Sequence, residues 1–203
     1  MACHDVHTGQ IQLDKCGTCH AAKTVDDLLK IRKPNDTTDW NGNKNNTEGF
    51  GEEIKGMQDK LLAEMQKYAS TKIKVTGADG KPAPTGIVYS PTSYPYFFID
   101  TNGDGKADPD EAVSKNAYAY WTPRLLRAAY NYQWVQKDPG AFAHNFYYIQ
   151  QILYDSLKDL NPGGVTGMTR AVVTIPPTPT PAPTAAATTA PAAAATATPT
   201  PTK

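Results

Sequence analysis

Apolar residues recur with a helical period in three stretches of the chain. In the first, residues 52–70, apolar positions three or four residues apart form one stripe made of Ile54, Met57, Leu61, Met65 and Tyr68. The second begins at Thr122 and Pro123, a helix N-cap followed by proline at the first helical position, and should end near residue 137. The third should run from residue 138 to residue 160, before an Asn-Pro-Gly-Gly breaker. The pattern therefore predicts three substantial helices.

Shorter elements lie before and between these helices. A short helix should run from about residue 24 to residue 33, where Pro34 ends it. Residues 35–49 are polar and rich in turn formers, which predicts a loop. Residues 72–75 and 86–90 have strand character and flank a turn that contains glycine and proline. We expect these two segments to pair as a small β-hairpin.

Composition and charge narrow the class of protein. The chain has 203 residues, enough for one domain with a sizeable core, and its 20 basic residues balance 20 acidic ones. This balance gives no indication of a nucleic-acid partner or of an anionic membrane surface. No run of 18 apolar residues is present, so the sequence predicts no membrane span. Residues 176–202 are only proline, threonine and alanine, which predicts a disordered, stalk-like tail.

The run Cys16-Gly17-Thr18-Cys19-His20 is the attachment signature of a c-type haem. Each thiol can bond one porphyrin vinyl group, and the adjacent histidine is placed to be the proximal iron ligand. A redox dithiol would need a β-α-β context, which the following residues lack, and a disulfide would leave the third cysteine unpaired. Zinc is the stronger alternative, because four donors would make a tetrahedral set: Cys3, His7, Cys16 and Cys19.

Cys3-His4 has the form of the end of a second motif of the same kind. A cysteine just before Met1 would complete it, so we expect the chain to be the C-terminal piece of a longer polypeptide that carries the secretory leader upstream. His7 follows His4 by three residues, an arrangement that resembles haem-attachment peptides in which a histidine is the distal ligand of a neighbouring haem. The alternative is a native start with a chance Cys-His pair.

Residues 100–111 match the calcium loop of an EF-hand at every ligand position. The predicted ligands are hard oxygen donors, namely the side chains of Asp100, Asn102, Asp104, Asp108 and Glu111 and the backbone carbonyl of Lys106. The aromatic, proline-containing segment 94–99 favours an extended chain before the loop. We therefore expect a lone structural Ca²⁺ loop at about residues 94–112, with a solvated acidic turn as the alternative.

His144 lies nearly opposite the apolar stripe of the third helix, at about 100° per residue. That stripe consists of Phe146, Ile149, Leu153, Leu157 and Leu160. Either His144 faces solvent or a haem covers it. Together with Cys16-x-x-Cys19-His20, the His144-Asn145 pair at the start of a long helix resembles the C-terminal portion of multihaem c-type cytochromes, over roughly residues 1–160. The resemblance implies that His144 is a distal haem ligand, but with one complete motif and one remnant it leaves the number of haems open.

The predicted fold is mainly α. It is a haem-organised helical domain with a small β-hairpin insertion, an EF-hand-like calcium loop and a disordered C-terminal tail. We expect residues 1–33 to attach haem c, residues 34–160 to form the helical domain, and residues 161–203 to form the Pro/Thr/Ala-rich tail. The haem should act as a core element near the N-terminus, packed by the final helix. Haem attachment and the tail both predict an extracytoplasmic location, either periplasmic, secreted or at the cell surface.

The histidine count favours a non-catalytic electron carrier. His4 and His20 would be proximal ligands and His7 and His144 distal ones, which gives two irons without an open position. The predicted cofactors are haem c, with one complete site and a second at Cys3-His4, and Ca²⁺. Redox proteins or neighbouring haem domains are the expected partners, and the sequence does not indicate whether homo-oligomers or filaments form. Two alternatives stay open: the C-terminal part of a multihaem oxidoreductase acting on a small nitrogen or sulfur compound, and a secreted zinc- and calcium-binding module without haem.

Overall fold

The computed structural model describes residues 3–172, which are mainly helical with one small antiparallel hairpin. The elements are α1 Leu13–His20, α2 Val25–Leu29, α3 Phe50–Lys72, β1 Gly86–Tyr89, β2 Phe97–Asp100, α4 Pro123–Lys137 and α5 Ala141–Leu160. Short 3-10 turns occupy Ser114–Asn116 and Pro162–Val165. Among the described residues, no helix combines the length and the hydropathy that crossing a bilayer requires. Most of the predicted tail, residues 173–203, lies outside the described residues.

Helix α3 supplies the centre of the core and packs against α5, α4 and β1. Four of the five residues of its predicted stripe are buried and Tyr68 is half-buried, and Met57, Leu61 and Met65 have no exposed surface. Each such side chain contributes about 1.5–3 kcal/mol by leaving water. Both methionines are therefore core residues, as their helical spacing favours.

Helices α4 and α5 follow the predicted signals. The Thr122 hydroxyl accepts a hydrogen bond from the Leu125 N–H at 3.2 Å, which satisfies a free donor of the first turn of α4. Helix α5 buries the whole predicted stripe: Phe146, Ile149, Leu153, Leu157 and Leu160. These side chains join those of α3 and α4 in one hydrophobic cluster that extends from Trp40 to Ala171.

The hairpin forms between different partners from those predicted. Strands β1 and β2 pair antiparallel, in a register that sets Ile87 opposite Ile99 and Val88 opposite Phe98. The predicted pairing of residues 86–90 with residues 72–75 is wrong, because α3 continues to Lys72 and an isolated bridge joins Thr76 to Pro82 instead. Proline lacks the amide donor that a ladder needs, whereas β2 offers apolar side chains that the core can bury.

Helix α2 is shorter than predicted. It begins after Thr24, whose hydroxyl accepts from the Asp27 N–H at 3.2 Å, and it ends at Leu29 rather than near residue 33. The chain then turns to meet α3, where the Ile31 carbonyl accepts from the first N–H of α3 at 2.9 Å. A Cβ at Gly49, the N-cap of α3, would lie 2.1 Å from the Leu29 carbonyl oxygen, so this close approach requires glycine.

A buried ion pair anchors the polar loop between α2 and α3. Arg32 Nη1 donates to Glu53 Oε1 at 2.8 Å, and their side chains are 10% and 0% exposed. Arg32 also donates to the Asp36 and Glu48 carbonyls, both at 2.7 Å. Glu53 Oε2 accepts from the Asn41 N–H at 2.9 Å. Burial raises the pKa of Glu53, and the hydrogen bonds from Arg32 and Asn41 oppose that rise without cancelling it.

The folded unit continues beyond α5. Val165 and Ala171 are 9% and 1% exposed. The buried Gln150 side chain accepts from the Ala171 N–H at 2.7 Å, and Gln151 donates to the Ala171 carbonyl at 2.7 Å. The start of the tail at residue 161 was therefore predicted too early, because two glutamine side chains of α5 bind the backbone as far as Ala171.

Candidate haem and metal sites

Helix α1 carries the complete cysteine–histidine motif on one face. Cys16, Cys19 and His20 stand three and four residues apart, so their side chains are neighbours on the helix surface. Helix α1 buries none of its residues, and Cys19 and His20 are exposed. The cysteines are all free thiols, with no disulfide in the described chain. Two sulfurs and one imidazole are thus accessible to a single planar group.

The helix ends directly after His20. Ala21 adopts the left-handed conformation, with φ of 53°, and donates its N–H to the Gly17 carbonyl at 3.0 Å. A Cβ at Gly17 would lie 2.9 Å from the Ala22 carbonyl oxygen, so the turn needs the small residue inside the motif. This tight C-cap fixes where the His20 side chain leaves the helix.

A tight N-terminal turn holds His4. Its Nδ1 lies 2.8 Å from the Gly9 carbonyl, which can only accept, so Nδ1 donates and Nε2 is the nitrogen left for a metal. The Asp5 carboxylate stabilises the turn by accepting from the N–H groups of Thr8 and His7 at 2.8 and 3.0 Å. These hydrogen bonds, the one from Thr8 above all, lower the pKa of Asp5. The turn leaves the His4 side chain exposed.

His144 stands in the first turn of α5, where the Asp138 carboxylate holds its ring. His144 Nδ1 lies 2.9 and 3.0 Å from the two Asp138 oxygens. Asn145 departs from helical geometry, with φ of −162° and ψ of 74°, and so separates this turn from the rest of α5. The His144 side chain is 56% exposed. Because a carboxylate accepts the Nδ1 proton, Nε2 is the nitrogen available to a metal.

The structure brings His144 next to His4. Their ring centroids are 6.3 Å apart, and the ring planes make an angle of 45°. His7 and His20 are exposed, and within residues 3–172 neither ring has such a contact with another histidine. Of the four predicted iron ligands, His4 and His144 are therefore the two that the fold places together.

The four donors considered for zinc do not converge. A cluster of three or more metal-binding atoms from His, Cys, Asp or Glu occurs once among the described residues, and its members are acidic. The zinc set would instead need its own cluster of Cys3, His7, Cys16 and Cys19. The arrangement gives no support to the zinc module.

The acidic cluster consists of Asp100, Asp104 and Glu111. One carboxylate oxygen from each lies within 4.8 Å of the others. Asp100 and Glu111 are 9% and 2% exposed, whereas Asp104 is exposed. Gly103 and Gly105 take φ values of 80° and 77°, the left-handed region that glycine enters without strain. The first, fifth and twelfth residues of the predicted calcium loop thus converge.

Glu111 has one satisfied carboxylate oxygen and one without a partner. Its Oε1 accepts from the Thr101 hydroxyl at 2.6 Å and from the Thr101 N–H at 2.7 Å. Its Oε2 is buried and has no hydrogen-bond partner in the described chain. Burial favours a raised pKa for Glu111, but the hydrogen bonds from Thr101 and Asn102 outweigh it and lower the pKa. A buried, ionised oxygen without a donor is a suitable ligand for a cation.

The other predicted calcium ligands lie around this cluster. The Asn102 amide donates to the Asp108 carboxylate at 3.0 Å. The side-chain oxygen of Asn102 accepts from the Asp104 N–H at 2.9 Å. The backbone N–H of Lys106 donates to the Asp104 carboxylate at 2.8 Å. Asp108 is therefore paired with Asn102 rather than with the converging carboxylates. The roles of Asn102, Lys106 and Asp108 as ligands stay predictions.

Two side chains that position these sites were not predicted. Asp138 was interpreted as a helix cap, but its carboxylate binds the His144 ring. Gln66 on α3 donates to the Gly105 carbonyl at 2.7 Å and so ties the calcium loop to the central helix. An aspartate six residues before a histidine, across an Asp-Pro-Gly turn, is a signal for the first contact. Gln66 carries no such signal, because it lies far from the loop in sequence.

Sequence comparison relates the chain to polyhaem cytochromes. Over 122 residues it is 32% identical to the C-type polyheme cytochrome OmcB of Geobacter sulfurreducens and 33% identical to the C-type polyheme cytochrome OmcC of the same organism. The matched region is 56% of this chain but only 16% of OmcB and 15% of OmcC, so the chain spans a small part of the length of these relatives. No protein-family model and no solved structure matches the chain. The predicted relationship to multihaem c-type cytochromes is confirmed, whereas the haem motifs and the calcium loop stay predictions.

Proposed function

We propose that the chain is an electron-transfer module of a multihaem c-type cytochrome, with haem c attached through Cys16, Cys19 and His20. The observation that carries this proposal is their common, accessible face on α1, in a chain related to polyhaem cytochromes. Haem c supplies an iron that alternates between two oxidation states. Helix α1 offers two thiols for the covalent bonds and one imidazole for the iron, and the protein core uses none of them.

The number of histidines favours electron transfer over catalysis. We assign His4, with Cys3, to a second haem, and we assign His7 and His144 to distal positions. Two histidines for each iron leave no open coordination position, so the iron exchanges electrons rather than binding a substrate. The partners are accordingly redox proteins or neighbouring haem domains, and haem attachment implies an extracytoplasmic location.

We also propose that residues 100–111 bind Ca²⁺ in a structural role. The converging carboxylates and the unpartnered Glu111 oxygen support this, because Ca²⁺ prefers hard oxygen ligands. The loop is already tied to the fold on two sides, through Gln66 and through Asn116. The Asn116 amide donates to the carbonyls of Ile99 and Glu111 at 2.8 and 3.0 Å. A bound cation would therefore hold the end of β2 firmly against α3.

Expression of the chain with a c-type haem maturation system tests the haem proposal. We expect covalent haem on the peptide that contains Cys16 and Cys19, measured by mass spectrometry, and a low-spin absorption spectrum. The double variant Cys16→Ser/Cys19→Ser should lose this haem, while Thr18→Ala, a change between the two cysteines, should keep it. A predominantly high-spin spectrum would favour the oxidoreductase alternative. A matured chain without haem on this peptide would refute the proposal.

A further inference from the structure

We propose that His4 and His144 bind the two faces of one haem iron, and that Asp138 positions His144 for that role. The inference rests on the proposed function, since a second haem at Cys3-His4 is part of it. Motif spacing alone does not say which distal histidine serves which haem. The folded chain supplies that information.

The separation of the two rings suits a shared iron. An imidazole nitrogen bonds a metal at about 2.0 Å and lies about 1.1 Å from the ring centre, so two axial rings have centres about 6 Å apart. The centroids of the His4 and His144 rings are 6.3 Å apart. Their interplanar angle of 45° is compatible with this role, because each ring can rotate about its own metal–nitrogen bond.

Both rings present the same nitrogen. His4 Nδ1 donates to the Gly9 carbonyl at 2.8 Å, and His144 Nδ1 donates to the Asp138 carboxylate at 2.9 Å. In each ring this leaves Nε2 as the nitrogen that can ligate a metal. Metal-bound histidines almost always donate their other N–H to a carboxylate or a backbone carbonyl. These two histidines have one acceptor of each kind.

The local chain fixes the position of the His144 ring. The ring lies over Gly140, where a Cβ would come within 2.6 Å of Cε1 and 2.9 Å of Nε2. Asp138 also accepts from the Gly140 N–H at 3.0 Å, so one aspartate orders both the turn and the ring. The break at Asn145 separates this turn from the buried stripe of α5. The ligand position is therefore set by one turn, which the buried side chain of Ala141 anchors in the core.

The pairing has a consequence for the other haem. If His144 serves the iron at His4, it is not the distal ligand of the haem at Cys16, Cys19 and His20. His7 is then the one histidine of this chain left to serve as a distal ligand elsewhere.

A haemin titration tests the pairing separately from covalent attachment. The full chain carries Cys16→Ser, Cys19→Ser and His20→Ala, so that the α1 motif cannot bind haem. We expect one equivalent of added haemin to give a low-spin absorption spectrum. If this background gives no low-spin spectrum, the pairing is overturned.

Single substitutions in that background then identify the ligands. His4→Ala and His144→Ala should each abolish the low-spin spectrum, and their combination should have no further effect. The matched control His7→Ala should keep it. All three side chains are exposed, and far-UV circular dichroism checks that each variant is folded. A low-spin spectrum that survives in His144→Ala overturns the pairing, without affecting the covalent haem measured on the unsubstituted chain.

Asp138→Asn tests the positioning role. Loss of such a partner of a ligating histidine typically weakens metal binding by about 10–100-fold, and we expect haemin affinity to fall in this range. The reduction potential of the bound haem should also rise, because the anionic partner of His144 favours the ferric state. Asp26→Asn, at an exposed aspartate on α2, is the control and should change neither quantity. Unchanged affinity and potential in Asp138→Asn would contradict the role assigned to Asp138.

Discussion

Replacement of Glu111 by glutamine should abolish the stabilisation of this protein by calcium. The substitution keeps the shape of the side chain and an oxygen that can accept from Thr101, but it removes the charge next to Asp100 and Asp104. Binding to the folded state raises the free energy of unfolding by about 2.7 kcal/mol when the ligand is at one hundred times its Kd. The weaker calcium loops have Kd values of about 10⁻⁴ M, so about 10 mM calcium reaches that condition.

The expected gain is large enough to measure as a thermal shift. For a folded unit of this size, each kcal/mol moves Tm by about 2–4 °C. The wild-type protein should therefore melt about 5–10 °C higher in calcium than in chelator, and Glu111→Gln should show a shift near zero. In chelator the variant should be less stable than the wild type at pH 7. The reason is that, against the effect of burial, the hydrogen bonds from Thr101 and Asn102 hold the pKa of Glu111 below its ordinary value, so the charged form stabilises the fold at pH 7.

The assay is differential scanning fluorimetry at pH 7, with calorimetric titration of calcium to count the sites. Asp110→Asn removes a charge from the same loop at an exposed position that supplies no predicted ligand, and it should keep the full shift. The lowered pKa of Glu111 means that its ionised form is favoured in the fold. Its contribution is complete above the ordinary glutamate pKa of about 4.3 and is lost as the pH falls further. A wild-type chain that ignores calcium, or a Glu111→Gln variant that still responds, would refute the reasoning.

Two further predictions concern stability. Glu53→Gln removes one of the two carboxylates paired with the Arg32 guanidinium and leaves Asp36 in place, so urea unfolding at pH 7 should show a loss of about 1.5 kcal/mol. An unchanged free energy of unfolding would contradict the importance of this pair. Because burial raises the pKa of Glu53, the contribution of this group to wild-type stability falls as the pH rises above about 4.3, and the variant should lose that dependence. In the haem-free chain, Cys16→Ser/Cys19→Ser should change the free energy of unfolding by less than about 0.5 kcal/mol, because α1 buries no side chain. A larger loss in the same denaturation assay would show that α1 contributes to the folded core.

The parts of the fold that the sequence predicted well depend on local signals. Helix α4 was predicted at both ends, because Thr122 and Pro123 start it through contacts within one turn. The stripes of α3 and α5 were also predicted, since an amphipathic helix beside one core has one face to bury. The convergence of Asp100 and Glu111 follows from the same logic, because a twelve-residue loop that turns at glycine brings its ends together.

The predictions that failed depend on residues that are distant in sequence. The strand character of residues 86–90 was evident, but the choice of β2 as its partner depends on which segment can fill the core beside α3. The end of the folded unit depends on side chains of α5 that bind the backbone near Ala171. The contact between His4 and His144, on which the sequence allowed no prediction, also joins residues that are far apart in the chain. Each of these outcomes is decided by tertiary packing, which no local pattern records.

The proposed iron ligands lie outside the hydrophobic core that stabilises the fold. In the part of the chain that the structure describes, the hydrophobic cluster extends from residue 40 to residue 171 and takes no side chain from residues 3–24. Helices α3, α4 and α5 provide a core of their own, and the role of the haem as a core element near the N-terminus stays a prediction. The proposed iron ligands stand outside it, on α1, on the N-terminal turn and on the turn before Asn145. A proposed iron ligand on such a turn can therefore be replaced by another residue while the core helices stay packed. The reduction potential of the haem would then change without a change of fold.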